Sequence, residues 1–183
     1  MKLGSIALAA AAAAAAAVAL APAAGMAATA PKKPTVPAAA PAMSQFDQGV
    51  AAYGRADYAT AYRLWRPLAE RGNATAQAGL GYMYENGRGV SQDYAAASSW
   101  YRKAADQGYA EAQLNLGLMY ANGQGVAQDY VLAHKWFNLG AVSGDPDAVK
   151  NRDTVAAKMT TAQVAEAQRL ASAWRATPSP GGR

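Results

Sequence analysis

The side chains that do most enzymatic chemistry are scarce in this chain. Its 183 residues include no cysteine and a single histidine, His134. Without cysteine there is no thiol nucleophile, no thiolate metal ligand, no lipoprotein anchor and no disulfide frame. One imidazole with no second ligand nearby in sequence does not make a metal site, and no serine stands in a recognisable arrangement with it. The glycine pairs Gly87/Gly89 and Gly123/Gly125 invite a phosphate-loop reading. They follow predicted helices rather than strands, however, and lack the further glycine and lysine that such a loop needs. Asp93 and Asp129 occupy equivalent places in the chain, which suits helix starts better than two carboxylates working on one substrate. Arg55, Arg63, Arg66 and Arg71 have Asp57 and Glu70 among them and read as a solvated face. No catalytic residue, metal ligand or cofactor is expected.

The ends of the chain do not read as part of a fold. Residues 1–27 run from Met1-Lys2 through an alanine-rich apolar stretch to Pro22, Gly25 and Ala27, the order of a cleaved export leader. A retained membrane anchor is the rival, but alanine is weakly hydrophobic and Pro22 and Gly25 sit where a leader's cleavage region belongs. Residues 28–43 are a Pro/Ala-rich spacer with polyproline character, and residues 176–183 are a short Pro/Ser/Gly/Arg tail. The expected location is periplasmic or secreted, with no membrane span once the leader is removed. The formal charge of +5 is concentrated at these ends: without Lys2, Lys32, Lys33 and Arg183, 13 basic residues face 12 acidic ones. A nucleic-acid surface needs a concentrated basic face, so no nucleic-acid partner is expected.

Between the ends, residues 44–175 are organised by duplication. Residues 74–109 align without a gap on 110–145 at an offset of 36, with 18 of 36 positions identical, which excludes coincidence. Both copies carry A-x-A-Q, then L-G-x-M-Y-x-N-G-x-G-V-x-Q-D-Y, then an alanine, a tryptophan, an alanine and a glycine. Each copy predicts two antiparallel helices. Leu80 and Tyr84 share one face of the first helix, and Asn86-Gly87 ends it. Ser91 to Asp93 caps the second, on which Ala97, Trp100 and Ala104 recur at helical spacing. Gly81 follows Leu80 inside the first helix, where glycine costs about 1 kcal/mol relative to alanine. The same cost at Gly117 predicts a neighbouring helix that leaves no room for a side chain. Residues 44–73 form a degenerate unit without the G-x-G-V loop. Residues 146–175 predict two closing helices, one opened by Asp145-Pro146 and one by a capping box at Thr160 and Gln163.

These residues resemble the Sel-1-like repeat, a relative of the tetratricopeptide repeat. The resemblance runs from Ala76 through Leu80, Gly81, Tyr84, Gly87, Gly89, Val90, Asp93, Ala97, Trp100, Tyr101, Ala104 and Ala105 to Gly108. The 110–145 copy departs at Phe137 and Gly140. It implies an all-α fold, an α-α superhelix of helix hairpins, whose first helices line the inner wall. Trp100 and Trp136, in phase with the repeat, are expected in the stacking core, and His134 on the surface. With Leu80, Gly81 and Tyr84 inward, Thr75, Ala78, Gly79, Tyr82 and Glu85 are left for the concave face. Their counterparts are Glu111, Leu114, Asn115, Leu118 and Ala121. In tetratricopeptide domains this face takes peptides. The resemblance therefore implies a non-catalytic adaptor or regulator that binds a protein or peptide there, with an envelope polysaccharide or peptidoglycan as the alternative partner. Relatives with cysteine-paired repeats have been linked to β-lactam hydrolysis, but this chain lacks those cysteines.

Overall fold

A computed structural model of the protein describes residues 43–174, and these form eight helices and no strand. The leader read at 1–27, the spacer up to residue 42, and the tail lie outside the described residues. The helices are α1 Gln45–Gly54, α2 Tyr58–Glu70, α3 Ala74–Asn86, α4 Tyr94–Asp106, α5 Ala110–Asn122, α6 Tyr130–Ala141, α7 Pro146–Ala156 and α8 Thr161–Ala173. Each packs on the next from α1 to α7, which bears out the predicted all-α superhelix of hairpins.

Local chemistry sets the ends of these helices. Asp57, Asp93 and Asp129 each accept a hydrogen bond from the backbone N–H three residues on, at 3.2, 2.9 and 2.9 Å. Each satisfies one of the donors that a helix start leaves unpaired. The Thr160–Gln163 capping box is formed in both directions. The degenerate first unit turns without the long loop and closes through Ala56, which sits at φ 62.

Inside each hairpin a glycine on the first helix meets an aromatic ring on the second. A β-carbon on Gly81 would lie 2.7 Å from ring carbons of Tyr101, and one on Gly117 would lie 2.6 Å from Phe137. In the first unit Gly49 meets Trp65, with a β-carbon only 2.2 Å from the indole nitrogen. Ordinary carbon–carbon contact begins near 3.5 Å, so these rings occupy the space that a side chain would need. Around them the core is built largely of alanine: Ala61, Ala97 and Ala133, and likewise Ala76, Ala112 and Ala148, are fully buried at successive offsets of 36.

Two expectations fail here. Trp100 is half-exposed, with the Lys103 ammonium 4.1 Å from its ring centre, and the fully buried aromatic of that unit is Tyr101. Adjacent helical residues point about 100° apart, so only one of the pair can face the glycine. Trp136 is buried, as is Phe137 beside it. His134, expected on the surface, is 3% exposed. The equivalent residue one unit earlier, Ser98, is also buried, at 6% exposure, so this face of the second helix is covered in both units; on α6 both α7 and α8 pack.

Two predictions follow from this packing. Gly117→Ala forces an overpacked contact, and a loss of about 1–3 kcal/mol is expected even though alanine favours helix. Gly54→Ala, where a β-carbon meets nothing within 4 Å, serves as the neutral comparison in thermal unfolding. The second concerns pH. His134 Nδ1 is buried with no hydrogen-bond partner among the described residues. Burial first, then the Arg152 guanidinium, holds the imidazole below the ordinary 6.5, and Asp153 opposes them. The unfolded chain therefore takes up the proton more readily, so stability falls as pH drops below 6.5. His134→Ser, which copies Ser98 of the preceding unit, should lose less melting temperature than the natural chain between about pH 7.5 and about pH 5.

Candidate functional site

The ten residues assigned to the inner wall lie on α3 and α5, and the structure divides them. Ala78 is not exposed as expected: it is buried in the cluster that holds Ala97, Tyr101, Ala112 and Leu116, beneath the next hairpin. Gly79 lies against the Trp65 ring of the preceding unit, where a β-carbon would be 3.0 Å away. Thr75, Tyr82, Glu85, Glu111, Leu114, Asn115, Leu118 and Ala121 keep part of their surface. Of these, Tyr82, Leu114 and Leu118 give the wall its apolar character while their inner parts pack on the core.

Polar groups on the wall are held by aromatic hydroxyls. Tyr101, buried at the glycine crossing, donates from its hydroxyl to Glu85 Oε2 at 2.7 Å. Burial, then the Glu85 carboxylate beside it, raises that phenol well above its ordinary range. One unit on, Tyr109 donates to Glu111 at 3.1 Å, and burial followed by the Glu111 charge pushes this phenol up to about 12. Glu111 is raised above 4.5 chiefly by burial, and Asp145 adds like charge; the Tyr109 hydroxyl only partly offsets this.

A cluster absent from the sequence-based assignment stands where the first two units meet. Tyr53 of α1, Tyr58 of α2 and Tyr82 of α3 surround the guanidinium of Arg88 from the α3–α4 loop. The carbon at its centre lies 5.7, 5.3 and 5.7 Å from the three ring centres. Arg88 Nη1 donates to the Tyr53 hydroxyl at 2.9 Å and to the Tyr58 hydroxyl at 3.2 Å. Burial, then neighbouring Tyr82, pushes Tyr53 up to about 12. One signal in the sequence pointed here: the loop reads G-R-G-V at Arg88 but G-Q-G-V at Gln124, and Tyr82 becomes Leu118.

Among the described residues no group of three or more His, Cys, Asp or Glu side chains is placed to hold a metal ion. No helix among them is long and apolar enough to cross a membrane. Among the described residues this wall presents half-buried rings and leucines, oriented carboxylates and a guanidinium surrounded by three rings.

A family model described as Sel1 repeat matches residues 46–73, 74–109 and 110–145. No curated protein matches the chain. Among solved structures it is similar to a protective antigen present in uropathogenic Escherichia coli strains that displays an SLR fold. That likeness has 32% identity and a TM-score of 0.69, over 71% of this chain and 29% of the antigen. It is also similar to a Sel1 repeat protein from Oxalobacter formigenes, at 39% identity and a TM-score of 0.56, over 60% of this chain and 86% of that one. The chain thus spans under a third of the length of the Escherichia coli antigen.

A raised carboxyl on this wall carries a stability cost with a definite sign. The folded Glu111 binds its proton more tightly than the unfolded one, so its ionisation opposes folding at neutral pH. Glu111→Gln, which can still accept from Tyr109, should raise the melting temperature at about pH 7, with the gain shrinking as pH falls through the carboxylate range.

Proposed function

The chain belongs to the Sel1 repeat family, and from that premise we propose that it is an exported, non-catalytic adaptor that holds an extended peptide or amphipathic helix of a partner protein on the wall formed by α3 and α5. The family's repeats serve as scaffolds for protein interaction, and the fold accounts for the distinctive residues as architecture. One observation carries the reading: Tyr82, Leu114 and Leu118 remain half-exposed on successive first helices after the core is satisfied. Partly exposed apolar side chains at helical spacing, rimmed by Glu85, Glu111 and Asn115, suit a partner that brings both apolar anchors and backbone polar groups. The leader read in residues 1–27 and the spacer read in 28–43 support a periplasmic or secreted location.

The test is a photo-crosslinking amino acid placed at Leu118 and, separately, at exposed Ser99 on α4, in intact cells. Protein adducts at 118 and none at 99 are the expected result. Equal labelling at both positions removes the wall as the site. Retention on purified cell wall without protein adducts assigns the surface to an envelope polysaccharide or peptidoglycan instead.

A further inference from the structure

The Arg88 cluster is one of the places where the chain abandons its own duplication. The two long loops have the same backbone: Gly87 and Gly123 sit at φ 65 and 68, and Gly89 and Gly125 at φ 73 and 67. Since Gln124 fills the equivalent place in the second loop, the loop conformation does not require an arginine. Of the three tyrosines, only Tyr58 has a tyrosine, Tyr94, at its equivalent in the next unit; Tyr53 matches Glu85 and Tyr82 matches Leu118. The cage is therefore specific to one junction of the solenoid.

Its geometry leaves a defined part of the guanidinium available. Arginine has five N–H donors and no acceptor. Nη1 is directed into the two phenol oxygens, and among the described residues the Nε and Nη2 hydrogens have no acceptor. None of the ion pairs, Arg66–Glu70, Arg152–Asp153 and Arg169–Glu166, takes Arg88. The Nε/Nη2 edge is the side of the fork that pairs with both oxygens of a carboxylate. The cage keeps that edge oriented, so less rotamer freedom is lost when an anion arrives.

Building on the peptide-docking reading above, we infer that Arg88, held by Tyr53, Tyr58 and Tyr82, is a receptor for a carboxylate of the docked peptide, either an acidic side chain or the chain terminus. Among the described residues the group is a cation without an ion-pair partner beside an apolar wall, and a carboxylate supplies both the charge and the two acceptors. Tyr82 belongs to both features, so an anchored carboxylate lies where a peptide enters the row of Tyr82, Leu114 and Leu118.

The probe is an array of acetylated decapeptides. Each is made as free acid and as amide, and each acidic member is paired with its Asn or Gln twin, against the full chain. The expected result is a preference of about tenfold for members with a carboxylate, the size of one charge-assisted pair. The free-acid and side-chain series separate the two sources. Arg88→Gln, which installs the residue of the second loop, should lose the preference, so that acidic members bind no better than their neutral twins. Arg88→Lys keeps the charge without the fork and should retain only part of the preference, which preserves the test if the glutamine variant folds poorly. Neutral and acidic twins bound equally, or a preference that survives Arg88→Gln, overturns the carboxylate receptor and leaves the peptide wall standing. An array with no bound member overturns both.

Discussion

The close crossing of glycine and aromatic ring sets the distance between the two helices of every repeat. Gly49 with Trp65, Gly81 with Tyr101 and Gly117 with Phe137 are the same contact made three times. The partners are 16 residues apart in the first unit and 20 in the others, because the first unit turns without the G-x-G-V loop. What persists is the meeting in space, while the separation along the chain changes. A ring pressed on bare backbone also explains the composition around it. Once the helices are this close, only alanine fits at the flanking positions, and Ala61, Ala97, Ala133, Ala76 and Ala112 are fully buried there. Glycine's cost in a helix, about 1 kcal/mol each, is offset by the burial of a complete aromatic side chain.

The stacking of one hairpin on the next is governed by directional groups. Gln77 donates to the Ala69 carbonyl at 3.0 Å and Gln113 to the Ala105 carbonyl at 3.1 Å, each reaching the end of the preceding unit's second helix. An amide buried this deeply must find a partner, so the bond tolerates only one placement of the neighbouring hairpin. At the other end, the second loop glycine lies on the start of the preceding unit's second helix. A β-carbon on Gly125 would fall 2.1 Å from the Tyr94 carbonyl oxygen. Arg102 meanwhile donates to the Tyr120 hydroxyl and lies over its ring. Each junction is thus fixed at its two ends, which turns a row of hairpins into a defined superhelix.

How much of this could be read in advance depended on whether a feature repeats. The offset of 36 made the hairpins, the aspartate caps and the buried glycine stripe readable, because each appears twice against a changing background. Periodicity alone does not say which of two adjacent aromatics faces the glycine: it points to Trp100, whereas Tyr101 holds that place. It also does not say which polar positions of the second helix are covered: Ser98 and His134 occupy equivalent places and both are buried. Ala78 was misplaced for a related reason: the stripe was drawn from one helix, and the next hairpin that covers this residue lies outside any single-helix pattern.

The residues that copy and those that do not have different work. Copied positions are bound by packing: a change at Gly81 or Gln77 disturbs a junction whatever the protein does. A position that differs between two units with the same backbone is not held to one side chain by packing, although Tyr101 against Phe137 differs inside the core itself. Tyr82 against Leu118, Glu111 against Thr75, and Arg88 against Gln124 are such positions on the first helices and their adjoining loop, while the second helices differ at still more places. The desolvated carboxyl of Glu111 detracts from what a purely structural surface would achieve, and Arg88 has no ion-pair partner among the described residues. Both lie along the wall proposed as the docking surface, and beneath it the glycine crossings fix how far the first helices stand from the second.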